Sequence, residues 1–93
     1  MLTLPTSGTV PVFDCHVLLR RPSQVGELFQ ARCAAAPSVT GTGATEREAL
    51  QSIVIRFKYF IQEHQASGTS IPWVNPEATA ESGEVERWIP VHL

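Results

Sequence analysis

From Glu46 to Ala66 the chain sets Ala49, Leu50, Ile53, Val54, Phe57, Phe60, Ile61 and His64 at three- and four-residue steps. That spacing places side chains on one face of an α-helix. At 1.5 Å per residue such a helix runs about 30 Å, enough to cover a small sheet diagonally, so the other elements must supply a surface for it. Its ends are written in the sequence as well. Thr45 and Glu48 have the spacing of a capping box, in which the hydroxyl accepts from the N–H three residues on and the carboxylate reaches back to the threonine N–H. Gly68 supplies the stop.

The segment before this helix, Gly41–Leu50 or GTGATEREAL, raises the question of a phosphate cradle. A Walker loop needs four residues between its glycines and then Lys-Ser/Thr, and a dinucleotide fingerprint needs a third glycine after two more residues. Neither is present. Glu46 and Glu48 suit the positive end of the helix dipole and would repel a phosphate, so Gly43, Thr45 and Glu48 read as a structural cap.

Upstream, Val10 to Arg20 alternates as a strand, with Phe13, Cys15, Val17 and Leu19 on one face and Asp14, His16, Leu18 and Arg20 on the other. A turn over 21–24 leads to a second strand from Val25 to Cys33, giving a hairpin. Its faces are Phe29, Ala31 and Cys33 against Leu28, Gln30 and Arg32. Ser38 to Thr42, ending at Gly43, reads as a short third strand.

After the helix, residues 67–84 form a Pro/Gly/Ser-rich extended connection anchored by Ile71 and Trp73. Residues 85–93 alternate as a last strand, which Pro90 places at a sheet edge or a strand end. Ile55 and Tyr59 lie on a helix flank outside the main stripe, where the tail and its tryptophans are expected to cover them. The expected fold is α+β: a three-stranded antiparallel sheet, one long helix packed on one face, and a C-terminal strand. The whole is one domain, 1–93, with a loose arm over 1–9 and a β-β-β-α core over 10–66.

Charge narrows the function. Seven Lys and Arg against nine Asp and Glu give a net charge of -2, and the cations are scattered, so a nucleic-acid surface is not the expected main purpose. No apolar run reaches the roughly 18 to 20 residues that span a bilayer, and the N-terminus has neither a basic region nor a long apolar core. The expected location is cytoplasmic. Cys15 and Cys33 lack the spacing of a zinc site and read as buried thiols. No metal or cofactor is expected.

The strand aromatic-x-Ala before a proline (Phe29, Ala31, Pro37), the entry Gly43, Thr45, Glu48, Ala49, Leu50, and the exit Gly68, Ile71, Pro72 occur in an order that resembles the HicB antitoxin family. The similarity is to that family's N-terminal partial ribonuclease-H-like domain, over roughly residues 11 to 73. It implies a β-β-β-α-β domain that binds and blocks a small RNA-cleaving HicA toxin. Only a loop and a strand follow the helix, where family members commonly carry a DNA-binding helix-turn-helix or ribbon-helix-helix, so DNA binding is not expected. The family's usual Pro-Asp/Glu-Leu-Pro-Gly stretch is replaced by APSVTG.

Catalysis is not expected. Ribonuclease-H chemistry needs a carboxylate cluster around two metal ions, whereas Asp14 stands alone in its strand and reads as a partner of Arg20 or Arg32. Cys15 and His16 point to opposite faces and cannot form a nucleophile-base pair. His64 suits the negative end of the helix dipole. The half-apolar, half-charged sheet face formed by His16, Leu18, Arg20, Leu28, Gln30 and Arg32 is the candidate partner surface. Exposed strand edges make a homo-dimer or higher homo-oligomer the expected assembly. A second reading gives that face and Trp73 and Trp88 to RNA, as stacking platforms.

Overall fold

The computed structural model describes residues 12–93. The expected arm over 1–9, and the first two residues of the expected first strand, lie outside them. The chain is α+β, with β1 (Val12–Arg20), β2 (Phe29–Cys33), β3 (Thr40–Gly43), α1 (Glu46–Ser67) and β4 (Glu84–His92) in that order. The strands make one antiparallel four-stranded sheet ordered β3-β2-β1-β4, and α1 packs on one face of it. The last strand is thus a full member of the sheet. It pairs with β1 along its whole length, from Val12 opposite His92 to Arg20 opposite Glu84.

The second and third strands are shorter than expected. Residues 25–28 belong to the turn, where Gly26 adopts a φ of 93°, and Val39 precedes β3 with its C=O accepting from Cys33 N–H. Ala34 N–H donates to His16 C=O at 2.8 Å, in register with the β1–β2 ladder. Antiparallel bonding alternates, so even residues of β1 bond toward β2 and odd ones toward β4. By the same register the odd residues of β4 bond inward. Pro90, opposite Asp14, therefore faces the free edge, where its missing N–H costs no ladder bond and removes a docking point for a further strand.

The core lies between α1 and the sheet face that carries Cys15, Val17, Leu19, Ala31, Cys33 and Val91; from the helix Ala49, Ile53, Phe57 and Ile61 complete it. Leu50, Val54 and Phe60 border this stripe, half-buried. The helix starts at the expected cap: Thr45 Oγ1 accepts from Glu48 N–H at 3.1 Å. The return bond differs by one residue, since Glu48 Oε1 accepts from Ala44 N–H at 3.0 Å rather than from Thr45. Gly68 closes the helix in the left-handed region, φ 70°, its N–H bonded back to Gln65 C=O.

The glycines of the GTG segment act through what they lack. A Cβ on Gly41 would lie 2.6 Å from Ile53 N, and one on Gly43 would lie 2.4 Å from Ala49 N. Both neighbours are helix backbone and cannot step aside. The glycines therefore let α1 settle directly on β3, and the helix lies mainly over β3 and β2. At the other side, Arg87 Nε donates to Glu46 Oε2 at 3.1 Å, tying β4 to the first turn of α1. Gly41→Ala is expected to lower the unfolding free energy by about 2 kcal/mol, the usual cost of overpacking, as an earlier urea midpoint. An unchanged midpoint would contradict the close-packed helix-sheet contact.

Candidate functional site

Five of the six residues expected at a partner surface share the sheet face that points away from α1. His16, Leu18 and Arg20 come from β1, and Gln30 and Arg32 from β2. Leu28 does not join them. It precedes β2 and stands 48% exposed at the rim, beside Arg20 and Gln30. The face is also not open. Leu18 is fully buried, because the segment 74–83 returns across the sheet and brings a row of carboxylates onto the cations.

Three anchors fix this strap. Glu77 Oε1 lies 2.9 Å from His16 Nδ1, and Glu86 Oε1 of β4 lies 2.7 Å from His16 Nε2. Arg20 donates to Glu81 Oε1 at 3.2 Å and to Ser82 C=O at 3.3 Å. Arg32 grips Glu84 with two bonds, Nε to Oε2 at 3.0 Å and Nη2 to Oε1 at 2.8 Å. Such fork-to-fork geometry is the strong form of the arginine-carboxylate pair. Backbone bonds add to the hold, from Val74 N–H to Ala35 C=O and from Ala78 N–H to Ala34 C=O, at 2.8 and 2.9 Å.

The Arg32 fork, together with the Glu81 N–H that also bonds the carboxylate, holds the Glu84 carboxyl at about 2, well below the usual carboxylate range. The His16 ring is 15% exposed. Burial works against its charge, yet the carboxylates of Glu77 and Glu86 outweigh it and raise the pKa above the ordinary value. The indole of Trp88, directly opposite in the ladder, stacks on the same ring with centroids 4.5 Å apart and planes 11° from parallel. An imidazolium over an indole is a favourable cation–π arrangement.

Trp88 itself remains 62% exposed. It stands as a large aromatic beside Glu77 and Glu86, whose side chains are 51% and 42% exposed. With the strap in place four glutamates, at 77, 81, 84 and 86, meet two arginines and one histidine. The outward surface is acidic, although the sheet beneath it carries the cations.

The two tryptophans have separate roles. Trp73 packs against Phe13, Phe57 and Phe60 with ring centroids 5.9 to 6.5 Å apart, and so seals one end of the core where the strap begins. It does not cover the helix flank: Ile55 and Tyr59 stay 66% and 64% exposed, which corrects the expectation that the tail shields them. Asp14 makes no ion pair with Arg20 or Arg32: it lies opposite Pro90, four residues along β1 from Leu18, which faces Arg32, and further still from Arg20. Cys15 and His16 do point apart, the thiol into the core and the ring into the strap. Cys15 and Cys33 meet as free, buried thiols; their mutual hydrogen bond and burial push the Cys15 pKa up, while the same hydrogen bond lowers that of Cys33 to about 7. His64 Nδ1 lies 2.8 Å from Thr69 Oγ1 beyond the helix end.

Among the described residues no group of three or more His, Cys, Asp and Glu is placed to hold a metal ion, and no helix is long and apolar enough to cross a membrane. Set against known protein families, curated proteins and solved structures, the chain matches none of them.

The depressed carboxyl of Glu84 links stability to pH. Its contribution is complete above the unfolded value of about 4.3 and is lost as pH falls through about 2. Glu84→Gln is expected to lower the unfolding free energy near pH 6 by about 2 kcal/mol and to flatten the fall in stability between pH 4 and 2. Urea unfolding across that range measures both, and parallel acid limbs in the two proteins would contradict the assignment.

Proposed function

We propose that this chain is a non-catalytic protein-interaction module, a HicB-like antitoxin component that binds a small, basic, RNA-cleaving toxin and occludes it. The observation that carries the reading is the exposed indole of Trp88 set among carboxylates on the strapped sheet face. Partly exposed tryptophans that are held rigid make effective interface anchors, because little side-chain freedom remains to be lost on binding. The stack on His16 holds this one. A rim of carboxylates complements a basic protein and speeds its approach, while it repels the phosphates that the toxin would act on.

The element order β-β-β-α-β and the sequence features from Phe29 to Pro72 support the HicB-like form of this reading. The binding surface it uses is the one expected from the sequence, with its chemistry revised. Leu18 lies beneath the strap, so the apolar anchor is Trp88. The arginines hold the strap, so the charges offered outward are Glu77, Glu81 and Glu86.

Co-expression with a small basic protein encoded beside this chain, followed by co-purification and an RNA cleavage assay, tests the proposal. A complex and suppressed cleavage are expected. Trp88→Ala should weaken the complex by at least 10-fold, about 1.4 kcal/mol or more, and Arg47→Ala, on the exposed side of α1, by less than 3-fold. Salt-sensitive RNA binding by this chain alone, with no protein partner recovered, would overturn the reading in favour of base stacking on Trp88.

A further inference from the structure

Each ring nitrogen of His16 faces a carboxylate oxygen, Nδ1 toward Glu77 at 2.9 Å and Nε2 toward Glu86 at 2.7 Å. A neutral imidazole has one N–H and one lone pair, and a carboxylate is an acceptor only. Both contacts are hydrogen bonds only when the ring carries two protons. The arrangement is thus complete for imidazolium and one donor short for imidazole.

The two carboxylates are not held equally. Glu86 belongs to β4 and is fixed in the ladder opposite Leu18. Glu77 belongs to the strap, which pairs with no strand and is held between its ends by scattered bonds. Losing a proton from His16 leaves a lone pair facing one carboxylate at hydrogen-bond distance. The shorter bond and the firmer backbone favour retention of Glu86, so Glu77 is the side chain that must move.

From this asymmetry we infer that the strap over 74–83 is a pH-gated cover of the sheet face, with His16 as its latch and Glu77 as the part released. Protonated His16 holds the middle of the strap against the sheet at its own position in β1. Neutral His16 frees that middle, while the aromatic packing of Trp73 and the Arg32–Glu84 fork keep its two ends in place. Opening uncovers the His16 end of this face, while Leu18 stays beneath the Arg32–Glu84 fork. It also takes one carboxylate away from Trp88.

The groups that face His16 come from three directions. Glu77 reaches it from the strap, Glu86 and Trp88 from β4, and Asp14 and Leu18 flank it on its own strand. Arg20 and Arg32 are engaged by Glu81 and Glu84 and keep their charge through neutral and moderately alkaline pH. The latch therefore titrates while the other two anchors do not. Because a partner-stabilised imidazolium loses its contribution as pH rises, the strap is closed below the ordinary histidine value, about 6.5, and opens above it. The inference concerns the free chain and does not depend on any binding partner.

Two-dimensional NMR of the free chain through a pH titration tests it. The His16 ring is expected to titrate above the ordinary histidine value, about 6.5. The Glu77 and Ala78 amide signals should shift with the His16 midpoint, while the core amides of Val17 and Ile53 stay fixed. In Glu77→Gln the His16 midpoint should fall, and the Ala78 amide should no longer follow it. An Ala78 signal that stays put in the wild-type chain while His16 titrates would overturn the latch. So would a His16 midpoint at or below the ordinary histidine value, about 6.5.

Discussion

The outer face of this sheet depends on one ion pair that joins residues 52 apart in sequence, the two-bond grip of Arg32 on Glu84. Arg32 lies in β2 and Glu84 opens β4, and β1 runs between them. The pair therefore reaches across β1 above Leu18, its neighbour opposite Arg32, and closes that residue from water. Exposed pairs contribute little because solvent screens them and their side chains must be ordered. This one is different in kind, since the Glu84 side chain is 4% exposed and the Arg32 side chain 26%. It fixes where the strap ends and where β4 begins. The bonds of Glu77 and Glu81 are local additions to a path it has already set.

The two sheet faces are complementary solutions to a small domain's shortage of core. On the inner face, the glycines at 41 and 43 let the helix backbone approach the sheet directly, so a 22-residue helix buries Ala49, Ile53, Phe57 and Ile61 in one stripe. Among the described residues no second helix covers the outer face. Leu18 and Ala34 are buried there, and a polar strap covers them with charged partners in place of apolar ones. That choice leaves the surface acidic and lightly held. The proposed binding face and its proposed latch both follow from it.

Much of this was legible in the sequence. Three- and four-residue spacing marked α1 to within a residue of its end, alternation assigned the two faces of β1, and Pro90 restricted β4 to an edge or a strand end, of which the edge is found. Each is a local signal, carried by neighbours along the chain. The strap was not legible, because residues 67–84 have the composition of a linker and their bonds to His16, Arg20 and Arg32 reach 47 to 62 residues back along the chain. A signal did exist in charge: Glu77, Glu81, Glu84 and Glu86 cluster in one short stretch, opposite in sign to His16, Arg20 and Arg32. It acquires meaning only once β4 is paired antiparallel with β1. The same pairing explains why Trp73 turned to Phe13 and Phe57 instead of covering Ile55 and Tyr59. The glycines show a second limit. Their place before a capped helix was readable, but the 2.4 Å approach to helix backbone is a tertiary fact.

The central claim is that the strap is a folded part of the sheet face in the free chain. Native-state hydrogen exchange at the amide of Ala78, which donates to Ala34 C=O at 2.9 Å, tests this most directly. At pH 6, where the latch is closed, the account predicts exchange at least 10-fold slower than for an unstructured amide of the same sequence. Exchange at the unstructured rate, with the amides of Val17 and Ile53 still protected, would show a folded core beneath a loose tail and contradict it.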